Sequence, residues 1–514
     1  MRRRTALSMA MMGVAALSAA CASAGHIAPA SSVAAAASPA SPTTDTAAIA
    51  QLGTALANVE RDSAADQSAL DSLHARRPDS ISALRTNVPL RGEDVRQEAE
   101  QLFGAEASAT TFDIDVSNFA GNRRVLEYLE FFQLDARDRF EIWLSRLGRY
   151  EGMIRERLRA RRLPEDLVYL TLIESGLSNT AVSRARAVGM WQFMSSTGRN
   201  YGLQIDPWVD ERRDPFKATD AAVNHLQDLV QRLGSVYLAA AAYNAGAGRI
   251  ERAIRRLPGG GEADTVDDQT FFEIASHRNV RRETRDYVPK LIAAALIAKQ
   301  PGHYGFTDIQ RLPPLVFDEV SCPDATGLDV IARLADTSVA AMLELNPQFV
   351  RGITPPGREV VVRVPRGTGA RVAERYADLA INERVTFVDH YVSSGQTLSG
   401  IAQRYNVTVT MLQVANPHLR AHALRVGQRI IVPMSGRVVP RGAWSVPPEP
   451  RMRRVSRHYN SAGDGATSHR VAPGETASEI ARRHGVGLAA LLDANDLTMR
   501  SVIRPGDVLR IPSR

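Results

Sequence analysis

Large apolar side chains are distributed unevenly along the chain, and their spacing divides it. Between His26 and Ser68 the residues are mainly Ala, Ser, Pro and Thr. Such a stretch offers little apolar area to offset the entropy of ordering a chain, so residues 25–68 read as a disordered tether. Residues 69–111 carry a weak helical pattern and read as a connector. From Phe112 to Tyr304 apolar positions recur with helical period in almost every segment, which predicts a mainly α domain over residues 112–304.

The C-terminal pattern differs, and it repeats. His390-Tyr-Val-Ser-Ser-Gly395-Gln-Thr397 and His469-Arg-Val-Ala-Pro-Gly474-Glu-Thr476 lie 79 positions apart. The same offset relates Ile401 to Ile480, Asn416 to Asn495, Gly427 to Gly506 and Pro433 to Pro512. Each copy has a short alternating strand, two helical segments and a closing strand, which predicts small α+β modules of βααβ order over 389–433 and 469–513. Their cores are too small for a catalytic cleft. Residues 434–468 hold four prolines and the run Arg451-Met-Arg-Arg454, and read as an extended linker. A worn copy spans 320–366: Ile331 through Asn346-Pro347 matches Ile401 through Asn416-Pro417 at an offset of 70, while Val320, Cys322 and Ala325 replace His390, Val392 and Gly395. It is expected to be a folded spacer, with Cys322 buried as a small apolar side chain.

Composition changes this picture little. At 44% hydrophobic and 23% charged, the 514 residues are ordinary globular material with room for several domains. Two cysteines, Cys21 and Cys322, make neither a disulfide framework nor a zinc site, so no metal and no cofactor is expected. The net charge of +7 favours an anionic partner, but only three of the 63 basic residues are lysine, a bias that codon usage also produces, and no nucleic acid is assigned. The N-terminus changes more. Arg2 to Arg4 followed by an apolar stretch from Ala6 to Ala20, too short to span a bilayer, reads as an export signal over residues 1–24. Leu17-Ser-Ala-Ala-Cys21 resembles a bacterial lipobox with Cys21 as the lipidated residue; cleavage after Ala24 is the alternative.

The candidate chemistry rests first on one carboxylate. In the segment from Leu163 to Gly176, Pro164 suits a first helical position and Gly176 a helix stop. Leu163, Leu167, Leu170 and Glu174 then share one helix face, so Glu174 ends an apolar stripe. A desolvated carboxyl holds its proton to higher pH, as a general acid requires. By itself the pattern better fits a Glu paired with an arginine or capping a neighbouring helix. Asp214-Pro215 reads as a helix cap, and Asp214 is not nominated as a second acid.

Glu174-Ser175 is followed by Ala181-Val-Ser183-Arg-Ala-Arg-Ala-Val-Gly189-Met-Trp-Gln192, Ala242-Tyr-Asn-Ala-Gly246 and Glu283-Thr-Arg-Asp-Tyr287-Val-Pro-Lys290. In this order the blocks resemble the soluble lytic transglycosylase family, and its membrane-bound transglycosylase D branch most closely. Arg186 departs from the pattern by standing where glycine is common, and Met190-Trp191 replaces Leu-Met. The resemblance implies a lysozyme-like catalytic domain that cuts the β-1,4 bond from N-acetylmuramic acid to N-acetylglucosamine and leaves 1,6-anhydro ends. It implies Glu174 as acid and then base, with Ser183, Gln192, Tyr243, Asn244 and Tyr287 around the substrate. A lysozyme-type hydrolase and an inactive wall-binding protein remain as alternatives.

The two clear repeats resemble LysM domains, which bind glycans containing N-acetylglucosamine. By that resemblance Gly395, Gln396, Thr397 and Asn416 in the first, and Gly474, Glu475, Thr476 and Asn495 in the second, are candidate glycan contacts; Gly and Asn serve turns and caps equally well. The expectation is therefore a multidomain, monomeric enzyme of the periplasmic cell envelope: a mainly α lysozyme-like catalytic domain followed by small βααβ LysM modules. Its partner would be the glycan strands of peptidoglycan, and Cys21 would carry an outer-membrane lipid anchor.

Overall fold

The structure is a computed structural model of the full chain and describes residues 46–75, 111–257, 266–277, 279–420, 424–434, 468–472, 475–495, 497 and 507–512. The export signal, Cys21, the linker 435–467 and Gly474 lie outside the described residues.

The first element overturns part of the sequence reading. Residues assigned to the tether and connector form a 30-residue helix, α1 (Thr46–Ala75). Alanine is the best helix former, and this segment is rich in it. Among its side chains with described burial, only Leu52 and Leu70 are large, apolar and fully buried. The helix therefore uses cores built by other segments, which its own composition does not reveal.

The mainly α body follows as α2 (Arg123–Gln133), α3 (Arg137–Ala160), a 3-10 turn (Glu165–Tyr169), α4 (Leu170–Ser175), α5 (Ser195–Asn200), α6 (Pro215–Leu233), α7 (Val236–Ala245), α8 (Ala247–Ile254), α9 (Asp268–Ser276) and α10 (Arg282–Lys299). Alanines 239 to 242 and 293 to 295 are fully or almost fully buried. Small side chains there let α7 and α10 approach each other through the centre of the body, with Phe132, Phe140, Trp143 and Trp191 filling the remaining space. Asp214 caps α6 by accepting from the amides of Phe216 and Lys217, with Pro215 first in the helix.

The first βααβ module is β1 (Phe317–Cys322), α11 (Leu328–Leu334), α12 (Val339–Leu345) and β2 (Val360–Pro365), followed by α13 (Gly369–Ala377). The second is β3 (Phe387–Tyr391), α14 (Leu398–Tyr405), α15 (Val409–Ala415) and β4 (Arg429–Pro433); the third is β5 (Ser468–Arg470), α16 (Ala477–Arg483), α17 (Leu488–Ala494) and β6 (Val508–Arg510). Each has one antiparallel strand pair, β1 with β2, β3 with β4 and β5 with β6. Cys322 is buried, and desolvation pushes its thiol up to about 12.

One residue does the same work in all three modules. Asn416 donates to Leu412 O (2.7 Å) and Ile431 O (2.8 Å) and accepts from Ile431 N (2.9 Å), clipping the end of α15 to β4. Asn346 and Asn495 make the equivalent three bonds, to Met342 and Arg363 and to Leu491 and Arg510. The sequence reading offered Asn416 and Asn495 as glycan contacts, but both amide donors of each are spent inside the fold. Asn416→Ala removes three bonds at once and should cost about 2 kcal/mol or more. Hydrogen exchange should show this as accelerated exchange at the β3 and β4 amides while those of α10 keep their protection.

Candidate active site

Glu174 sits on α4, a helix of six residues. The expected helix from Pro164 is in fact split, with a 3-10 turn from Glu165 to Tyr169 before α4. That first turn is pinned from outside. Asp113 accepts from the amides of Glu165 (2.5 Å) and Asp166 (2.9 Å), and the fully buried Asp166 pairs with Lys299 (2.7 Å) and Arg155 (3.3 Å). At the other end Gly176 takes φ +59° and its amide bonds to Leu172 O (3.0 Å), a left-handed helix stop. A Cβ on Gly176 would lie 2.1 Å from Trp143 Nε1, so glycine is required sterically as well as conformationally.

The Glu174 side chain is half-buried, with its carboxyl closely surrounded by protein. Tyr287 on α10 donates its hydroxyl to Glu174 Oε1 at 2.5 Å. Desolvation raises the carboxyl to about 7; the Tyr287 bond lowers it, the charge of Glu283 raises it and Lys290 lowers it, and desolvation prevails. Burial pushes the Tyr243 and Tyr287 phenols well above 10, so both remain protonated donors. Lys290 is buried with its ammonium 5.3 Å from the Tyr128 ring centre, and desolvation brings it down to about 8.

Ser183 and Gln192 lie on the loop between α4 and α5, folded by the bridges Val182 to Val188 and Val188 to Phe193. Ser183 Oγ accepts from Ala187 N (3.0 Å), bracing a turn within the loop. Gln192, at φ +49°, donates to Gly189 O (2.8 Å). Arg186 adopts φ +66°, a left-handed backbone that explains why glycine suits this position. Two ties fix the loop: Ser175 Oγ donates to Met190 O (2.8 Å), and Arg212 Nη1 donates to Phe193 O (3.1 Å) and Arg186 O (3.2 Å). The buried Arg212 is itself paired with Asp210 at 2.8 Å.

Tyr243 closes the arrangement by donating to Trp191 O (2.8 Å), next to Gln192, so its hydroxyl orients the loop while Tyr287 orients the carboxyl. Asn244 donates to Glu283 (3.1 Å) and accepts from Thr284 Oγ1 (3.2 Å), which docks the end of α7 on the start of α10. Sequence reasoning missed Lys290, Glu283 and Arg212 as members of this site. The first two stood inside the quoted block from Glu283 to Lys290, but burial and charge coupling to Glu174 appear only on folding.

In the second module Gly395 (φ +80°), Gln396 and Thr397 form the β3 to α14 turn, where Gln396 Oε1 accepts from His390 Nε2 (2.8 Å) and Ser393 N (2.7 Å) and Thr397 caps α14. In the third, Glu475 accepts from Ala472 N (2.7 Å) and His469 Nε2 (2.8 Å), with Arg483 beside it. The Ala472 amide and then His469 hold the Glu475 carboxyl down at about 2. Thr476 caps α16 in the same way as Thr397 caps α14.

Comparison with known proteins identifies related domains and relatives. The family model described as the transglycosylase SLT domain matches residues 152–264, the LysM domain matches 390–433 and 469–512, and the LysM-like domain of lytic transglycosylase MltD matches 316–381. Membrane-bound lytic murein transglycosylase D of Escherichia coli K12 is 30% identical over 379 residues, covering 70% of this chain and 76% of the relative. Peptidoglycan transglycosylase gp16 of Escherichia phage T7 is 35% identical over 104 residues, 20% of this chain and 8% of that protein. A solved structure of the lytic transglycosylase Slt from Pseudomonas aeruginosa aligns with 31% of this chain and 25% of that one, at 21% identity and a TM-score of 0.24.

The raised carboxyl has a consequence for stability. Folding holds the Glu174 proton more tightly than the unfolded chain does, so the stability this group contributes is complete below about pH 4.5 and is lost as pH rises through about 7. Glu174→Gln should match the parent near pH 4 and exceed it by about 2 kcal/mol near pH 8, after discounting for partial exposure. Thermal melts at the two pH values check this; equal melting shifts at both would contradict burial as the cause.

Proposed function

The chain belongs to the family of membrane-bound lytic murein transglycosylase D and is a lytic murein transglycosylase with a lysozyme-like SLT domain and small LysM modules, and on that premise we propose that Glu174 is its one proton carrier. The observation that carries this reading is the Glu174 carboxyl, desolvated to about 7 and held by the Tyr287 hydroxyl. Near neutral pH a large share of it is protonated, as a general acid requires, and its conjugate base is strong enough to take the proton back.

The bond cut is the β-1,4 link from N-acetylmuramic acid to N-acetylglucosamine. Glu174 gives its proton to the bridging oxygen, the bond from that oxygen to C1 breaks, and N-acetylglucosamine leaves as an alcohol. The N-acetyl oxygen of the muramic acid stabilises the positive charge left at C1. The C6 oxygen of the same sugar then bonds to C1 and its proton returns to Glu174, which closes a 1,6-anhydro ring and consumes no water. A hydrolysing glycosidase requires a second carboxylate as nucleophile or as base for water. Here both proton transfers fall to one group. While Glu174 is ionised, the Tyr287 hydroxyl and the nearby Lys290 both stabilise the charge on its carboxylate.

Ser183 and Gln192 on the braced loop and Asn244 at the end of α7 are the proposed sugar contacts, with the Tyr243 ring beside them. Gly395, Gln396 and Thr397, and Gly474, Glu475 and Thr476, are the proposed glycan contacts of the LysM modules. Two weak sites on one chain raise retention on peptidoglycan through effective concentration. The enzyme works as a monomer in the periplasm, held to the outer membrane by lipid on Cys21.

Glu174→Gln preserves shape but neither gives nor takes a proton, and activity on isolated sacculi should fall about 100-fold or more. Mass spectrometry of the wild-type digest should find muropeptide ends lighter by one water than hydrolysed ends; free reducing ends would show a hydrolase instead. Growth with a palmitate analogue should label the wild type but not a Cys21→Ser variant, and an unlabelled wild type would point to cleavage after Ala24.

A further inference from the structure

At about 1.5 Å per residue α1 is roughly 45 Å long, and it is fastened near both ends. Toward its N-terminal end Leu52 is fully buried in a cluster with Phe349, Phe387 and Ala415. Gly53 lies so close to α15 that a Cβ would sit 2.3 Å from Ala415 O. Toward its C-terminal end Leu70 joins the core of the helical body. Ser63 Oγ donates to Thr180 O (3.0 Å) and Asp71 pairs with Arg184 (2.9 Å), on either side of the start of the loop that carries Ser183.

Between these fastenings lies Asp66, a fully buried carboxylate. It accepts from Trp143 Nε1 (3.2 Å), Arg146 Nη1 (2.8 Å) and, more distantly, Arg139 Nη1 (3.5 Å), all on α3. Two of those partners touch the residue that ends α4. Arg146 Nη1 also donates to Gly176 O (3.1 Å), and the Trp143 indole stands where a side chain on Gly176 would be. Gly176 is two positions from Glu174, on a helix too short to hold its own orientation. Both groups that fix Gly176 therefore end on one carboxylate, and α1 delivers it.

We infer that Asp66 is a positioning residue for the transglycosylase reaction, acting through Arg146 and Trp143 on Gly176 to hold Glu174 against Tyr287. The inference rests on the reading of Glu174 as proton carrier. The groups that act on the Glu174 carboxyl from its surroundings are Tyr287, Glu283 and Lys290 on α10 and Tyr243 on α7, and Asp66 is not among them.

The test uses the full chain as Asp66→Asn and, separately, as Arg146→Met, which removes the bond to Gly176 O while leaving Asp66 with Trp143 and Arg139. With soluble glycan strands as substrate, kcat should fall about 10-fold or more with KM little changed. The alkaline limb of the kcat profile should also move to lower pH in both variants, because a loosened carboxyl is better solvated. A purely structural role lowers the folded fraction and leaves that limb in place, so an unmoved limb in both variants overturns the inference whatever happens to kcat. If Asp66→Asn does not fold, the limb in Arg146→Met decides alone. Active Glu174→Gln would instead sink the reading of the site itself; inactive Glu174→Gln beside an unmoved limb removes only the role of Asp66.

Discussion

A carboxyl group taken out of water at the end of a six-residue helix is the feature on which the surrounding structure depends. Desolvation keeps Glu174 protonated toward neutral pH, a state that lasts only while water stays out, and one carboxyl oxygen accepts from Tyr287. A helix of that length does not hold its own shape in water. The neighbouring elements supply what it lacks: Asp113 caps the turn before it, Ser175 ties it to the loop, and the face of Trp143 admits only glycine at its end.

The loop between α4 and α5 repeats the logic with backbone strain. Arg186 and Gln192 both take positive φ, which side-chain-bearing residues adopt only where their surroundings compensate. Arg212, held by Asp210, bonds to two carbonyls of this loop, and a Cβ on Gly189 would lie 1.9 Å from its backbone oxygen. The loop is shaped by polar groups packed behind it.

Buried arginines join the helical body to the first two βααβ modules. Arg351 pairs with Asp389 of β3 (3.0 Å), donates to Pro207 O (3.0 Å) and lies 4.2 Å from the Trp208 ring centre. Arg363 of β2 pairs with Asp214, the cap of α6, at 2.9 Å, between the rings of Phe216 and Phe317. Losing one partner of such a pair leaves the other charge buried and uncompensated, at a cost of several kcal/mol. These contacts are therefore sensitive to substitution even where their net contribution to stability is small.

Much of this protein was legible from residue order. Helical periodicity marked the body, the 79-residue register exposed the paired modules, and the worn copy was visible through Asn346-Pro347. These signals are local: a helix face or a strand alternation is written by residues close together in the chain. The motif blocks likewise marked Glu174, Tyr243 and Tyr287 before their geometry was known. Tertiary structure alone decided that α1 is an ordered strut, since its buried positions rest in cores built elsewhere. It also decided that Asn416 and Asn495 are clips within their modules, and that Lys290, Glu283 and Asp66 gather around or behind one carboxyl. Burial and charge coupling between residues as distant as 66 and 146, or 174 and 287, arise only when the chain closes on itself, and no pattern along it records them.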